Sequence, residues 1–282
     1  MGIYVTNLCN YIKILIEIDK MNFDMNHSNK NGIILIHQGT TDIMNHIGLL
    51  HYYSNKYDKL YLFALNIHEK LLQFIKPLNV EIIIFEKQYD SNDKLFPFIN
   101  KQYTSILNSD YLFHGFFDNY RTDEYRYTFQ STWNKMMKLG CNNYVDPDFV
   151  NMFYSSYDIP VSVRIEYFIF ERDYELENKT YDDFVQEYGD KYILYHSNED
   201  NFINKKECKI NLNQRTELFF DYIKILENSI EMHLLDSSWA AFVYLLDVKY
   251  RLFKDKKIYL YPERNCIKMF QDPIQLDNWV FI

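Results

Sequence analysis

Short apolar runs of four to seven residues recur along this chain, each followed by a polar turn and then by a stretch with helical periodicity. The runs are Ile33-Ile34-Leu35-Ile36, Lys59–Leu65, Val80–Phe85, Tyr111–Gly115, Lys191–His196, Glu231–Leu235 and Lys257–Tyr261. They are too short to span a membrane and too continuous for a strand with one wet face. Runs of this kind form the interior strands of parallel sheets, which are covered on both sides. Between the first two, Ile43, Ile47 and Leu50 fall at i, i+4, i+7 and predict a helix from Ile43 to about Asn55. Asn66 is expected to cap a helix running through Leu71, Leu72 and Ile75 to Pro77. Further helices are expected over Lys94–Leu107, Tyr174–Tyr188, Leu218–Asn228 and Trp239–Leu246. From 129 to 189 the pattern is mostly helical, with a helix start at Asp146-Pro147-Asp148. The alternation predicts an α/β protein of two Rossmann-like lobes with a helical segment between them. Residues 1–32 read as an N-terminal extension, 33–145 as the first lobe, and 146–282 as the connector and second lobe.

The chain has 282 residues, enough for one large domain or two smaller ones. It carries 39 acidic and 30 basic residues, a net charge of −9. That balance and the lack of a basic run argue against nucleic acid as a partner, because phosphate binding needs clustered Lys and Arg. The 26 Tyr and 22 Phe, with only three Ala, are what an AT-rich coding sequence gives and carry no ligand signal. Cys9, Cys141, Cys208 and Cys266 form no C-x-x-C pair, so free thiols in a reducing, cytoplasmic setting are expected and no metal site is indicated. No transmembrane segment is expected. Nothing in the sequence sets an oligomeric state.

In open α/β sheets, ligands sit beyond the carboxyl ends of the strands. Three loops qualify. The first is His37-Gln38-Gly39-Thr40-Thr41-Asp42, where Gly39 permits a tight turn and Asp42 is either an N-cap or a general base. The second is His196-Ser197-Asn198-Glu199-Asp200, either a polar turn or a set of groups for sugar hydroxyls. The third is Asp236-Ser237-Ser238, either an ordinary helix cap or a phosphate cradle of two hydroxyls and free helix amides. The sequence has no G-x-G-x-x-G, P-loop, G-x-S-x-G or H-E-x-x-H, which removes sequence support for four common enzyme classes. Asp118-Asn119-Tyr120 and Asp146-Pro147-Asp148 only loosely resemble acidic metal triplets.

Several segments together resemble a known group. Ile33, Leu35, Ile36, His37, Gln38, Gly39 and Asp42, then Tyr57-Asp58-Lys59-Leu60-Tyr61-Leu62-Phe63, resemble an I-L-I-H-Q-G-x-G-D opening followed by K-Y-D-K-V-Y-L-F. Phe153-Tyr154, Ile159-Pro160, Arg164, Phe168 and Arg172-Asp173 follow in the same order, as do Leu226-Glu227-Asn228-Ser229, His233 and Asp236-Ser237-Ser238. The group consists of small GT-B-like glycosyltransferases of bacterial polysaccharide loci and large DNA viruses. The resemblance implies two lobes facing a cleft, with the acceptor on the first and a nucleoside-diphosphate sugar on the second. It implies a metal-independent transferase with no cofactor beyond that donor, acting on a glycan, glycolipid or glycoprotein acceptor in the cytoplasm (of the host, if viral). Asp42 with His37 would be the catalytic pair, and Gln38 and Gly39 would touch the acceptor. Arg164, Arg172, His196, Asp236, Ser237 and Ser238 would bind the donor. The plain alternative for both arginines is ion pairing. The sequence departs from the group at Thr41, where a glycine is usual, and at Asn198-Glu199, where an acidic pair is usual. Those departures motivate a second reading, a non-catalytic pseudo-transferase that binds a glycan or a protein. A third is another α/β enzyme of phosphorylated small molecules.

Overall fold

A computed structural model describes residues 31–36, 40–75, 77, 79–86, 110–111, 149–197, 208–212, 219–262 and 276–282. Residues 31–282 form one compact unit. Residues 1–30 of the expected N-terminal extension, the 94–107 helix and the acidic stretches at 118–120 and 146–148 lie outside the described residues, and Asn31 and Gly32, expected in that extension, begin β1 (Asn31–Ile36).

The first sheet is built from β1 (Asn31–Ile36), β2 (Lys59–Leu65), β3 (Val80–Phe85) and β4 (Asp110–Tyr111). Its order is β3-β2-β1-β4 and every pairing is parallel. Ile34 lies opposite Leu62, and Leu62 opposite Ile82. Ile33, Ile34, Leu60, Leu62, Phe63 and Ala64 are all buried, as a doubly covered parallel sheet requires. Helix α1 (Thr40–Ser54) follows β1, and α2 (Glu69–Leu72) follows β2 through a 3-10 turn over Asn66–His68. Asn66 is therefore the first residue of that turn, and its side chain does not cap a helix. The expected helix to Pro77 ends at Leu72 and runs on only as turns.

The second sheet contains β5 (Tyr192–His196), β6 (Cys208–Asn211), β7 (Met232–Leu235), β8 (Ile258–Tyr261) and β9 (Trp279–Phe281), in the order β6-β5-β7-β8-β9, again all parallel. Two of these strands, β6 and β9, are absent from the sequence expectation, and both are edges. Helices α3 (Phe149–Ser155), α4 (Val163–Glu166), α5 (Tyr174–Tyr188), α6 (Ile223–Asn228) and α7 (Ser238–Tyr250) complete the described fold. Helix α5 covers the residues expected of it. Asp173 caps it by accepting from the Leu176 amide, and Gly189 ends it at φ 83°.

Helix α7 joins the two sheets. Every residue from Trp239 to Val248 is buried. A helix apolar all round must be enclosed on all sides. Helix α7 packs on β7 of its own sheet and also on α1 and α4, and α1 and α4 pack on each other. Two of the chain's three alanines, Ala240 and Ala241, fall within α7 at zero exposure. The approach of α1 to α4 is closer still. A Cβ on Gly48 would lie 2.4 Å from the Val163 carbonyl oxygen and 2.9 Å from the Arg164 Cα. Tyr154 on α3 adds a buried hydrogen bond, its hydroxyl donating to the Asn45 carbonyl of α1 at 2.6 Å.

The far end of α7 is held by one carboxylate. Asp247 is fully buried. Its Oδ1 accepts from the Phe253 amide at 3.1 Å. Its Oδ2 accepts from Asn278 Nδ2 at 2.8 Å and from Trp279 Nε1 at 3.0 Å. These donors come from the turn after α7 and from the approach to β9, so Asp247 anchors the last strand. Arg251 then ends the helix in the left-handed region, at φ 56°.

Two predictions follow from this packing. Gly48→Ala forces a methyl group into backbone and is expected to cost at least about 1–3 kcal/mol, the range for an overpacked core. Urea unfolding of the variant measures the loss, and unchanged stability would remove the α1–α4 contact. His51, in the last turn of α1, has its imidazole pKa lowered by burial, against a smaller raising effect of the Ile169 and Ile75 carbonyls. The depressed value means that the unfolded chain binds the proton more readily. The stabilising contribution of a neutral His51 is complete above about pH 6.5 and declines as the pH falls through its lower folded pKa. Stability of a His51→Gln variant should therefore fall less steeply below pH 6.5 than that of the parent, as read from denaturation midpoints across pH.

Candidate functional site

The order of each sheet fixes where a ligand crevice can open. In the second sheet the chain runs from β5 out to β6 and returns to the opposite side of β5 as β7. The loops leaving β5 and β7 therefore turn in opposite directions at the carboxyl edge, which is the switch point where such sheets bind ligands. In the first sheet the corresponding place lies between β1 and β4, where the order reverses.

The β5/β7 edge gathers four of the residues expected at a donor site. His196 is the last residue of β5 and pairs in register with Leu234 of β7. Asp236, Ser237 and Ser238 follow directly from the end of β7. Asp236 is buried, and its amide donates to the Tyr261 carbonyl at the end of β8, at 3.3 Å. The loop after β5 is tied to β6, because Asn211 Nδ2 donates to the Ser197 carbonyl at 2.9 Å. The first turn of α7 is tied to the end of β6, because Trp239 Nε1 donates to the Leu212 carbonyl at 3.0 Å. Hydrogen bonds from neighbouring strands thus hold both rims of this edge.

Ser237 has a structural role there. It is the N-cap of α7, with extended backbone, and its Oγ accepts from the Ala240 amide at 3.4 Å. The capping alternative accounts for Ser237. Ser238 is the first helical residue and is partly exposed. The rest of the second loop, Asn198-Glu199-Asp200, lies outside the described residues.

At the first sheet, His37, Gln38 and Gly39 lie outside the described residues. Helix α1 already begins at Thr40, so Asp42 is its third residue. Asp42 is not the N-cap. A carboxylate in a first helical turn is nevertheless favoured by the helix dipole.

The two arginines go elsewhere. Arg164 is buried on α4, in the seam with α1 and α7, and its guanidinium carbon lies 5.6 Å from the centre of the Tyr244 ring on α7. Arg172 is an ion-pair hub. Its Nε and Nη2 donate to the two Glu177 oxygens at 2.9 and 2.5 Å, and its Nη1 and Nη2 donate to Glu227 at 2.9 and 3.0 Å. Glu177 is on α5 and Glu227 on α6, so the fork ties the two helices together. These bonds raise the Arg172 pKa, Glu177 contributing most. Four of the five guanidinium N–H groups are committed, leaving one. The ion-pairing alternative is the one observed, and Arg172 drops out of the donor set.

Sequence reasoning missed a polar cluster on the face of the second sheet turned away from the main core. His233 on β7 is buried and stacks on Tyr259, directly opposite on β8, with centroids 4.6 Å apart. Its Nδ1 bonds the Tyr261 hydroxyl and its Nε2 bonds Glu231, each at 2.9 Å. The signal was present in the sequence, as the i, i+2 spacing of Glu231 and His233 along one strand face. Among the described residues no three His, Cys, Asp or Glu side chains group as a metal site would need, and no helix is long and apolar enough to cross a membrane.

Neither a protein-family model nor a curated protein sequence matches the chain. Its fold is similar to solved structures. A glycosyl transferase family 9 protein from Veillonella parvula aligns over 92% of this chain and 88% of its own, with a TM-score of 0.57 at 9% identity. The ADP-heptose lipopolysaccharide heptosyltransferase II of E. coli aligns over 90% of each chain, with a TM-score of 0.46 at 10% identity. The likeness to the Veillonella protein is one of fold: this chain has a glycosyltransferase-like α/β fold.

Proposed function

We propose that this protein is a glycosyltransferase that moves a sugar from a nucleoside-diphosphate sugar to a hydroxyl of a glycan, glycolipid or glycoprotein acceptor. The observation that carries the reading is the β5/β7 switch point, which brings His196 and Asp236–Ser238 to one carboxyl edge in a fold like that of a glycosyltransferase. In this reading the diphosphate meets the opening amides of α7 and the Ser238 hydroxyl, with His196 and Asp236 orienting the donor. Arg164, buried in the α1–α4–α7 seam over the Tyr244 ring, takes no direct part in this scheme. Asp42, with His37, receives the proton of the acceptor hydroxyl. The acceptor oxygen then bonds the anomeric carbon as the bond to the diphosphate breaks. The leaving diphosphate takes up negative charge, which fixed dipoles stabilise without reorganising. No metal takes part in this scheme.

Thermal denaturation against UDP, GDP, TDP, CMP and ADP, each with Mg²⁺ or EDTA, tests the donor half. A nucleotide present at 100 times its Kd stabilises the fold by about 2.7 kcal/mol. One nucleoside diphosphate should raise the midpoint equally with Mg²⁺ and with EDTA. Asp42→Asn should keep that shift and lose sugar transfer with the matching donor. If none of the nucleotides shifts the midpoint, the transferase reading fails and a non-catalytic binding module takes its place.

A further inference from the structure

Away from the β5/β7 edge, Gln73 and Phe74, just after α2, face the segment Glu171–Leu176 that leads into α5 across a recess of about 410 Å³. That volume falls within the range of about 300–1,000 Å³ typical of small-molecule sites. The walls are fixed. The Glu171 amide donates to the Phe74 carbonyl at 2.9 Å, joining the two sides. Phe74 stacks on buried Phe220, with centroids 5.0 Å apart and planes 23° apart, and Phe170 packs against the same ring at 4.9 Å. Arg172 is held by Glu177 and Glu227, and Asp173 caps α5.

The groups presented to the recess are of a particular kind. Gln73 and Glu171 are exposed. Tyr174 is 63% exposed, although its ring lies 4.9 Å from the Arg172 guanidinium carbon. An amide, two carboxylates, one remaining arginine N–H and an aromatic ring therefore surround one space. The lining carries the carboxylates of Glu171 and Asp173, and its one cation, Arg172, is already offset by Glu177 and Glu227, so the recess is negative. The negative field is felt nearby. The Asp221 carboxyl is pushed up, first by burial and then by Asp173, with Glu177 adding to it and Lys70 opposing. That charge repels phosphates and nucleotides. A second cation over Tyr174 would meet the guanidinium already at that ring. A neutral polyol meets neither objection. Its hydroxyls donate to the carboxylates and to the Gln73 oxygen, and accept from the Gln73 amide and the spare arginine N–H. Its C–H face can lie on the aromatic surface.

We propose that the recess between Gln73–Phe74 and Glu171–Leu176 is a carbohydrate-binding subsite that takes a neutral sugar ring of a glycan chain. It would hold the glycan at a point other than the reacting hydroxyl. The assignment stands on the recess alone and does not need the donor site.

Saturation-transfer-difference NMR on the full chain, without nucleotide, tests it. The probes are the methyl glycosides of glucose, galactose, mannose, rhamnose and N-acetylglucosamine at millimolar concentration, with spermidine as the cationic control. At least one glycoside should receive saturation on its ring protons. Tyr174→Ala and Glu171→Gln should each weaken that binding at least about fivefold, the scale of one lost ring contact or charged hydrogen bond. Both side chains are exposed, so both variants should keep the parent melting temperature, and both should keep any nucleotide-induced shift. The proposal is overturned if no glycoside is saturated, if saturation survives both substitutions, or if spermidine alone binds. A protein that binds glycosides here yet shifts with no nucleotide would keep this site and lose only the transferase reading.

Discussion

The contact between α1 and α4 at Gly48 is the constraint on which the rest of the structure depends. Two parallel sheets, each covered by its own helices, can form separate cores. Here they share one, and the shared part is the seam of α1, α4 and α7. At Gly48 the backbones are so close that no side chain fits between them. The short helix α4 is thereby seated on the first sheet's main helix while α7 of the second sheet packs on both. Burial of α7 on every side follows from this, and so does the placement of Arg164 inside the seam.

Charged groups secure what the apolar seam leaves loose. Asp247 gathers three donors from the turn after α7 and from the approach to β9, so a three-residue edge strand is fixed through a buried carboxylate. Removing that carboxylate would leave buried donors unpaired, which is costlier than never having made the bonds. The Arg172 fork does similar work between α5 and α6, at a half-buried position where bidentate geometry gives an ion pair more weight than an ordinary surface pair has. The carboxyl edge of the second sheet has ties of its own. Its rims are held by Asn211, Trp239 and the end of β8, and the candidate donor residues are carried on those rims.

Much of this was legible in the sequence, for a physical reason. Interior strands of parallel sheets are buried on both faces, so β1, β2, β5, β7 and β8 appear as largely apolar runs, while β3, an edge of the first sheet, carries exposed Glu81 within its run. The strands that escaped notice, Cys208–Asn211 and Trp279–Phe281, are the two edges of the second sheet. An edge strand is short and paired on one side only, so it needs no long apolar run. Helix α7 runs to Tyr250, beyond the expected Leu246, because Asp247 is a charge the fold buries for its hydrogen bonds. Read as a polar residue, it looks like the end of the apolar stretch. Helix α6 starts only at Ile223, with turns at 219–222. Asp42 looked like a cap from its position before an apolar periodicity, but Thr40 and Thr41 are themselves helical.

The sequence by itself determined the α/β class, the parallel pairing, the position of α5 and the residues carried to the end of β7. Each of these is set by local pattern: period, burial of a run, and the residue at a cap. The tertiary structure decided which charges were spoken for. Arg172 and Arg164 look alike in the sequence, one arginine each in a helical stretch. One is taken up by Glu177 and Glu227, 5 and 55 residues away, and the other lies over Tyr244, on α7. Glu227 and Tyr244 lie so far along the chain from their arginines that they leave no periodic trace, because only the folded packing brings them together.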